Sequence, residues 1–368
     1  MKKLGFGMMR LPINGDDYSN INKEASKKMI DKYIQEGFCY FDTAYFYHKG
    51  NSEPTFGELV ASRYPRDSFV VTTKMPIFNL NTIEEYEKTF NDQLNKCNVD
   101  YFDNYFLHCI TADNIDKVEQ LNGFDFLVKK KREGKIKTIG FSFHATAKLL
   151  DEILTRHPEV ELVQLQINYL DWESEAIQSR LCYEVARKHN KKIAIMEPVK
   201  GGALVNIPQK AIDLLKSYNP DASVASWAIR YAASLEDVII VLSGMSNMEQ
   251  VEDNISYMKD FKPLNEEELI LIEKVVNIIN ESAIISCTNC KYCIEGCPKK
   301  ISIPDYFALY NKSCQFGMMD NIVGSFKKLA EENGKPSDCI RCKQCERKCP
   351  QHLPIVEYLK LVEGAFEK

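Results

Sequence analysis

Two cysteine runs near the end of the chain have the spacing that most clearly points to chemistry. The first run, CTNCKYCIEGCP, extends from Cys287 to Pro298, and the second, CIRCKQCERKCP, extends from Cys339 to Pro350. Each follows the pattern Cys-x-x-Cys-x-x-Cys-x-x-x-Cys-Pro. This pattern binds a 4Fe-4S cluster, because gaps of two residues let three thiolates surround one cubane from a single tight loop. The two runs therefore predict two 4Fe-4S clusters.

The fourth cysteine of each run is expected to reach the cluster that the other run holds. The predicted ligands of the first cluster are Cys287, Cys290, Cys293 and Cys349. The predicted ligands of the second cluster are Cys339, Cys342, Cys345 and Cys297. Pro298 and Pro350 are predicted to turn the chain away after each fourth ligand.

Structural zinc and disulfide bonds explain the runs less well. Zinc sites usually pair two Cys-x-x-Cys motifs and need no third cysteine at the same spacing. Disulfides are typical of exported proteins, and the N-terminal sequence has no long apolar run that could serve as an export signal. The remaining cysteines are expected to be packed thiols rather than ligands. They are Cys39, Cys97, Cys109, Cys182 and Cys314.

The two runs resemble the bacterial two-cluster ferredoxin module. The insert between them, residues 299–338, is longer than in the compact form of that module and contains two helix-like stretches. About 285 of the 368 residues precede the first cluster cysteine, which is enough for one large domain with its own core. A large domain therefore precedes the cluster-binding segment, and its function must be sought in its own residues.

Composition excludes several classes of partner. The net charge is −5 without a run of basic residues, so a nucleic-acid partner is not expected. No apolar run approaches the roughly 20 residues that span a bilayer, so a membrane partner is not expected either. Thirteen cysteines in a chain without an export signal indicate a reducing compartment. We therefore predict an anaerobic cytoplasm, because exposed clusters of this kind are oxygen-sensitive.

The first 245 residues alternate short apolar runs with longer segments of helical periodicity. Eight candidate strands, from LGFGMM to VIIVLSG, are separated by segments with apolar residues three and four positions apart. Repeated strand and helix predict an α/β fold, a parallel (β/α)₈ TIM barrel, followed by a small α-rich ferredoxin-like domain. A doubly wound open sheet is the alternative, but the chain has no Gly-x-Gly-x-x-Gly turn after its first strand.

The helix-like segment that follows the barrel predicts the domain boundaries. It has apolar residues at Leu269, Ile272, Val275 and Ile279 and an acidic start, which suits a helix N-terminus. We predict a barrel over residues 1–262, a linker and docking helix over 263–286, and a ferredoxin-like domain over 287–368. Binding of this helix to a partner is the alternative.

Polar residues stand at the predicted strand ends, where a parallel barrel carries its chemistry. These residues are Asp42, Lys74, His108, Ser142, Gln164 and Asn168, with Tyr47 in the loop after Asp42. Together with segments such as FDTAYFYHKGNSE, VVTTK, YFDNYFLH and VLSGMSNMEQVEDN, they resemble the aldo-keto reductase family over residues 4–256. With the cysteine runs added, the chain resembles the ferredoxin-linked aldo-keto reductases of anaerobic bacteria.

The resemblance implies a catalytic tetrad of Asp42, Tyr47, Lys74 and His108. Reduction of a carbonyl needs a proton donor, and a tyrosine with a pKa near 10 donates slowly at neutral pH. Lys74 is expected to lower the pKa of Tyr47, Asp42 to anchor Lys74, and His108 to polarise the carbonyl oxygen. His48 and His144 are expected to line the pocket or the surface.

The resemblance also implies a nicotinamide cofactor whose carboxamide lies near Ser142 and Gln164. The sequence departs from the family at Phe143, where a carboxamide partner is missing, and at Met196, where the family often stacks a tyrosine on the nicotinamide. Glu197 adds a carboxylate nearby, and Lys200 is expected to pair with it. Aromatic residues in the loops, among them Phe78, Tyr169 and Trp172, suggest an apolar or ring-bearing carbonyl.

The loop after the eighth strand is expected to hold the adenosine half of the cofactor. The predicted contacts are Ser243, Gly244, Met245, Gln250 and Asn254. This loop has no basic side chain for a 2′-phosphate, so we expect NADH to be preferred over NADPH, and a flavin is not excluded. Backbone amides at the start of the following helix can still hold a pyrophosphate or a ribose.

Three functions fit these residues. The first is an NAD(P)H carbonyl reductase whose clusters transfer electrons or are structural. The second is a ferredoxin-fed reductase, possibly flavin-dependent, in which the clusters deliver single electrons to the barrel. The third is a non-catalytic electron-transfer subunit, which the complete tetrad disfavours. The expected partners are a small carbonyl substrate and a ferredoxin or another redox protein.

Overall fold

The computed structural model describes residues 1–282, 284–287, 289–294, 296–349 and 351–367. The chain divides into two compact units, residues 1–201 with 223–269, and residues 202–222 with 270–368. The domain boundaries given by sequence remain a prediction. Pro350, where a turn is predicted, lies outside the described residues.

The first unit is built on a closed barrel of eight parallel strands in sequential order. The strands are β1 (Leu4–Gly7), β2 (Tyr40–Asp42), β3 (Val70–Met75), β4 (Phe102–Ile110), β5 (Ile136–Phe143), β6 (Leu162–Gln166), β7 (Lys192–Met196) and β8 (Val238–Ser243). Each of the eight predicted strands is present, and β8 pairs with β1 to close the barrel. The predicted (β/α)₈ fold is confirmed.

Helices follow the strands and cover the outside of the barrel. Those of the first unit are α1 (Lys23–Gln35), α2 (Ser52–Phe56), α3 (Ile83–Cys97), α4 (Ile115–Gln120), α5 (Gly123–Arg132), α6 (Ala147–Arg156), α7 (Ser179–Lys188), α9 (Val224–Ser234) and α10 (Met248–Met258). Helix α8 (Gln209–Tyr218) follows β7 in the sequence and belongs to the second unit. Local sequence fixes their starts: Thr82 and Glu85 form a capping box at the start of α3, which satisfies two backbone amides. The apolar face of α3 then buries Tyr86 and Phe90.

The barrel interior is filled by side chains rather than by a channel. A buried cluster formed by Tyr40, Phe106, Leu162 and Ile240 lies within the ring of strands. Gly140 on β5 makes room for it, because a β-carbon there would lie 2.1 Å from the carbonyl oxygen of Leu162. Because the interior is packed, polar site residues are expected at the carboxyl ends of the strands.

The second unit is mainly helical. Besides α8 it contains most of α11 (Glu266–Glu281) and the helices α12 (Ile303–Phe316), α13 (Asp320–Glu332), α14 (Gln344–Lys348) and α15 (Ile355–Phe366). Helices α12 and α15 pack together around Ile303, Phe307 and Leu359. The predicted apolar face of α11 is buried at Ile272, Val275 and Ile279, whereas Leu269 is 39% exposed.

Among the residues that the structure describes, no helix combines the length and apolarity needed to cross a bilayer.

Replacement of Gly140 by alanine is expected to destabilise the barrel by at least about 2 kcal/mol, because the added methyl group overlaps the backbone of Leu162. Urea unfolding followed by circular dichroism measures this change. Gly324→Ala is the control, since Gly324 lies in α13 with no atom within 4 Å of the added carbon. Equal stability of Gly140→Ala and the unmodified chain would show that the barrel is less tightly packed than described.

Candidate functional site

A buried ion pair lies at the carboxyl ends of β2 and β3. The Lys74 ammonium donates to Asp42 Oδ1 at 2.7 Å and to the carbonyl oxygen of Thr43 at 2.8 Å. The same ammonium lies 3.3 Å from the Tyr47 hydroxyl. Lys74 is 1% exposed and Asp42 is 3% exposed, so water does not screen the pair. One ammonium thus joins a carboxylate to a phenol.

The pKa values of this group follow from burial and from the ion pair. Burial raises the pKa of Asp42, which the Lys74 charge opposes. Burial alone would lower the pKa of Lys74, but Asp42 and Tyr47 raise it above its usual value. Burial also raises the pKa of Tyr47, and Lys74 only partly offsets this effect. Lys74 therefore lowers the pKa of Tyr47, as expected from the sequence, but desolvation raises this pKa by more than Lys74 lowers it. The net pKa of Tyr47 is raised, so the phenol holds its proton more firmly than the sequence suggested.

His108 lies beside Tyr47, with the two rings edge to face and their centroids 6.0 Å apart. Among the described residues, its buried Nδ1 has no hydrogen-bond partner. Burial and the positive charge of Lys74 lower the pKa of His108 to about 3. The imidazole is therefore neutral near pH 7 and presents one N–H donor. Structure thus brings all four predicted tetrad residues to one end of the barrel.

The loop that carries Tyr47 is held by the residue that follows it. His48 is buried, and its Nε2 accepts a hydrogen bond from the Leu11 amide at 3.2 Å while Nδ1 lies 2.8 Å from the Tyr18 carbonyl oxygen. It also stacks on the Tyr18 ring at 4.4 Å. The expectation that His48 lines a pocket or the surface is wrong, because both ring nitrogens are used in fixing the loop. His144 is exposed, as expected.

The predicted nicotinamide contacts also lie at this end of the barrel, but most are engaged with protein groups. Ser142 Oγ accepts from the Cys109 amide at 2.7 Å, and Gln164 Nε2 donates to Asp42 Oδ2 at 3.4 Å. Met196 is the last residue of β7 and is partly exposed. Gln164 therefore connects the predicted cofactor region to the Asp42–Lys74 pair.

Side chains of the loop after β8 and of the helix that follows it hydrogen-bond to one another and to the loop backbone. Asn254 donates to Ser243 Oγ at 2.6 Å, and Gln250 Oε1 accepts from the Ser246 amide at 2.7 Å. The Met245 side chain is buried in the core. Because Gly244 has no β-carbon, another side chain can lie directly against the loop at this position.

The side chain of Arg10 lies against Gly244. The sequence analysis did not predict this residue as part of the site. A β-carbon on Gly244 would lie 3.1–3.3 Å from three carbons of the Arg10 side chain. The carbonyl oxygen of Arg10 also accepts from Ser246 Oγ at 2.8 Å. In the described chain its guanidinium makes no hydrogen bond or ion pair. The loop after β1 thus supplies the basic side chain that the loop after β8 lacks.

The charged residues after β7 pair differently from the prediction. Lys200 donates to both carboxylate oxygens of Asp171, at 2.6 and 2.7 Å, rather than to Glu197. A β-carbon on Gly201 would lie 3.4 Å from Arg10 Nη2 and 3.6 Å from Glu197 Oε2. The Arg10 guanidinium and the Glu197 carboxylate therefore both lie beside Gly201.

Of the three aromatic residues suggested for a substrate pocket, only Phe78 lies beside the tetrad. Its ring centroid is 5.9 Å from that of His108 and 5.4 Å from that of Phe46, and both phenylalanines are exposed. Tyr169 and Trp172 instead pack against Tyr231. Sequence could not separate these cases, because all three aromatic residues follow strands.

The eight cysteines of the two runs line two cavities in the second unit. The first cavity contains Cys287, Cys290, Cys293 and Cys349, and the second contains Cys297, Cys339, Cys342 and Cys345. Each has a volume of about 330 Å³, including space open to solvent. Each cavity thus combines three cysteines of one run with the fourth of the other, which is the grouping that the spacing predicts.

The residues around the two cavities fit an iron-sulfur cluster. Phe307, Leu353 and Ile355 give the first cavity apolar walls. Burial raises the pKa of Cys293 to about 12 and that of Cys345 to about 11, so thiolates there require a bound cation. Among the described residues, no three ligating side chains converge on a single ion. A cubane needs a wider arrangement, because each of its four irons takes one thiolate.

The two runs share one backbone conformation. Positions that correspond in the two runs are left-handed in both, namely Asn289 and Arg341, Lys291 and Lys343, and Lys300 and His352. Helix α12 begins six residues after Cys297, and α15 begins six residues after Cys349. The duplication seen in the sequence is therefore also present in the fold.

Comparisons with known proteins agree with this architecture. The model of the aldo/keto reductase family matches residues 3–277, and that of the 4Fe-4S dicluster domain matches residues 286–353. L-galactose dehydrogenase of Arabidopsis thaliana is 24% identical over 289 residues, which cover 73% of this chain and 88% of that protein. NADH-specific methylglyoxal reductase of Escherichia coli K12 is 25% identical over 268 residues, covering 60% and 78%.

Solved structures share the barrel. Aldo-keto reductase AKR11C1 from Bacillus halodurans in its holo form has a TM-score of 0.60 and 22% identity, and the match covers 74% of this chain and 91% of that one. At this identity the likeness concerns the fold alone. The family match spans most of the chain and confirms the predicted oxidoreductase with iron-sulfur clusters. This chain is a member of the aldo/keto reductase family, an NAD(P)H-dependent oxidoreductase that carries a C-terminal 4Fe-4S dicluster domain.

Proposed function

We propose that the barrel reduces the carbonyl group of a small aldehyde or ketone. The observation that carries the proposal is the contact of one buried ammonium, Lys74, with both Asp42 and Tyr47 beside the neutral imidazole of His108. A proton donor and a neutral N–H donor next to each other suit a carbonyl oxygen that gains negative charge. A bound nicotinamide supplies the hydride.

Each residue of the tetrad has a separate role in this proposal. Tyr47 Oη gives its proton to the carbonyl oxygen, and Lys74 stabilises the phenolate that remains. Asp42 keeps Lys74 charged and in place, and Gln164 holds the second oxygen of Asp42. His108 donates its N–H to the carbonyl oxygen. The raised pKa of Tyr47 means that the phenol stays protonated until substrate oxygen begins to accumulate charge.

The exposed rings of Phe46 and Phe78 suggest the class of substrate. They stack at 5.4 Å next to His108, so they form an apolar wall beside the proposed proton donors. An aldehyde or ketone with an apolar or aromatic substituent would bury that substituent there.

The residues at the mouth of the barrel fit a dinucleotide. Ser142, Gln164 and Met196 are proposed to contact the nicotinamide half, and the loop from Ser243 to Asn254 the adenosine half. Arg10 is proposed to pair with the pyrophosphate, because it lies on Gly244 without a partner of its own. A pyrophosphate is common to NADH and NADPH. Because the loop after β8 itself has no basic side chain for a 2′-phosphate, we retain NADH as the preferred cofactor, which is also the cofactor in the printed name of the Escherichia coli relative.

Tyr47→Phe is expected to lower kcat for carbonyl reduction by about 10²–10⁴-fold, because it removes the only proton that the tetrad delivers. Tyr45→Phe is the matched control: Tyr45 loses the same hydroxyl two residues away, where its ring packs on Phe46 and Lys96. Iron and sulfide content should not change in either variant. Retained turnover in Tyr47→Phe would remove this residue from the proposed role.

Arg10→Gln is expected to raise the Kd of NADH and of NADPH by roughly tenfold or more, and by the same factor, since a charged hydrogen bond to the shared pyrophosphate is lost. Fluorescence titration measures both constants. Arg132→Gln is the control, because Arg132 is an exposed residue at the end of α5 that precedes β5, away from the strand carboxyl ends. A loss confined to NADPH would assign Arg10 to the 2′-phosphate instead.

The two cluster cavities favour a second candidate, in which the clusters deliver single electrons to the barrel. Hydride carries two electrons, whereas a 4Fe-4S cluster passes one, so direct exchange between them is unfavourable without a group that splits the pair.

Anaerobic turnover separates the two candidates. With NADH and a small ketone, we expect ketone consumption while the visible absorbance of the clusters remains that of the oxidised protein. A reaction that instead requires a one-electron donor, with bleaching that recovers on addition of ketone, would replace the first candidate by the second. Bleaching by NADH alone would show that the clusters are not merely structural.

A further inference from the structure

Strand β4 is irregular at the residue that carries the proposed N–H donor. In its pairing with β5, the stretch 107–110 of β4 runs alongside the shorter stretch 141–143 of β5, so β4 contains one extra residue. His108 and Cys109 together therefore lie opposite the single residue Ser142. This arrangement is a β-bulge, a feature that often redirects a side chain next to an active site. We call His108 and Cys109 the β4 bulge.

The residues on either side of the β4 bulge show that the packing of the barrel requires it. Leu107 and Ile110 are both fully buried in the main apolar core. In a regular strand, side chains three positions apart point to opposite faces of the sheet. The extra residue is what allows both of these side chains to face the same core.

The β4 bulge places Cys109 in an unfavourable backbone conformation. Its φ value is 60°, which lies in the left-handed region that glycine adopts readily and other residues rarely adopt. Such a conformation persists only where neighbouring groups hold it in place. The contacts of the Cys109 backbone should therefore identify the residues that maintain the bulge.

Two side chains bind the peptide groups of Cys109. Its N–H donates to Ser142 Oγ at 2.7 Å, and its carbonyl oxygen accepts from Asn114 Nδ2 at 2.8 Å. Asn114 Oδ1 accepts in turn from the Thr111 amide at 2.9 Å. The amide of Asn114 thus uses its donor on one side and its acceptor on the other, which only one orientation of the group allows.

The position of Asn114 in the chain suggests a different use for its side chain. Asn114 is the N-cap of α4, and an asparagine at an N-cap typically accepts a hydrogen bond from an amide of the first helical turn. Its side chain makes no such bond. At the N-caps of α1 and α10, Asn22 and Asn247 do make it. The side chain of Asn114 therefore serves the β4 bulge instead of the helix that it precedes.

The β4 bulge contacts both halves of the proposed site. His108 is one of its two residues, and in the described part of the chain no group binds the buried Nδ1 of its ring, so the direction of the ring depends on the backbone. Ser142 Oγ accepts from the Cys109 amide, and it makes no further hydrogen bond to any residue that the structure describes. Its hydroxyl proton is thereby left for an acceptor on a bound group.

An alternative explanation is that Cys109 is present for its thiol. Burial raises the pKa of this thiol, which disfavours the thiolate that a nucleophile would need. The hydrogen bonds of Cys109 with Ser142 and Asn114 involve its backbone and not its sulfur. The contribution of Cys109 is thus the shape of its backbone.

We propose that Asn114 is a positioning residue of the reductase site. By holding the carbonyl oxygen of Cys109 it keeps the β4 bulge in its left-handed conformation, and the bulge directs the His108 ring towards the substrate carbonyl and the Ser142 hydroxyl towards the nicotinamide carboxamide. This inference rests on the proposed function and adds to it a residue outside the tetrad.

Asn114→Asp tests the role of the donor, since aspartate keeps an acceptor for the Thr111 amide and remains a good N-cap but places an oxygen against the Cys109 carbonyl oxygen. We expect kcat for ketone reduction to fall by about tenfold or more, with KM for the ketone little changed, because a misdirected His108 affects the transition state more than substrate binding. Asn22→Asp is the matched control, since Asn22 caps α1 as an acceptor only. An unchanged kcat in Asn114→Asp would reduce Asn114 to a helix cap and overturn the proposal.

A glycine at position 109 provides a rescue experiment. Asn114→Ala is expected to lower kcat by about tenfold, and addition of Cys109→Gly should restore most of it, because glycine adopts the left-handed conformation without being held. The control adds Ala112→Gly instead, an exposed residue of the same turn that is not left-handed. Absence of rescue by Cys109→Gly, or equal rescue by Ala112→Gly, would overturn the proposal. Cluster content and the thermal unfolding midpoint show that each variant is folded.

Titration of NADH separates failure of this inference from failure of the proposed function. The Kd of NADH, measured by fluorescence without any ketone, is expected to rise about threefold or more in Asn114→Asp, since the Ser142 hydroxyl loses its direction. It should return towards the unmodified value in Asn114→Ala with Cys109→Gly. If the unmodified chain reduces no ketone, the proposed function fails and this constant alone decides: an unchanged Kd in Asn114→Asp overturns the positioning role as well.

Discussion

The active end of the barrel depends on one buried ion pair, Lys74 with Asp42. A buried ammonium without a carboxylate would lose its proton or destabilise the fold, so each partner makes the other possible. The pair is also the link between otherwise separate parts of the site. Lys74 reaches Tyr47 from one side, and Asp42 is held by Gln164 from across the barrel. The Lys74–Asp42 contact thereby connects Tyr47, at the proposed substrate position, with Gln164, at the proposed cofactor position.

Desolvation changes the pKa of every residue in this group. It raises the pKa of the acids Asp42 and Tyr47 and lowers the pKa of the bases Lys74 and His108. It holds His108 neutral, with a pKa of about 3, and it keeps the proton on Tyr47. In both cases the uncharged, hydrogen-bond-donating form is favoured. The sequence predicted a tyrosine that ionises easily. The structure favours one that remains a full donor and is stabilised by Lys74 only as its proton leaves.

Sequence predicted the elements and the residues whose position depends on strand order. Asp42, Lys74 and His108 lie at or near the carboxyl ends of consecutive parallel strands, so the fold alone brings them together. The pairing of cysteines between the two runs followed from spacing in the same way. Arg10 against Gly244, Lys200 on Asp171 and the buried His48 were missed, because each depends on the path of a loop. No periodicity encodes such contacts between residues far apart in sequence.

The division of the cysteines between the cavities has a consequence for assembly. Neither cavity has its full set of four thiols unless both runs are folded, since each takes Cys349 or Cys297 from the opposite run. Helices α12 and α15, which follow the two runs, pack on each other and close the same core. The two thiol sets are accordingly completed together, because folding of one run alone leaves each cavity short of ligands from the other run.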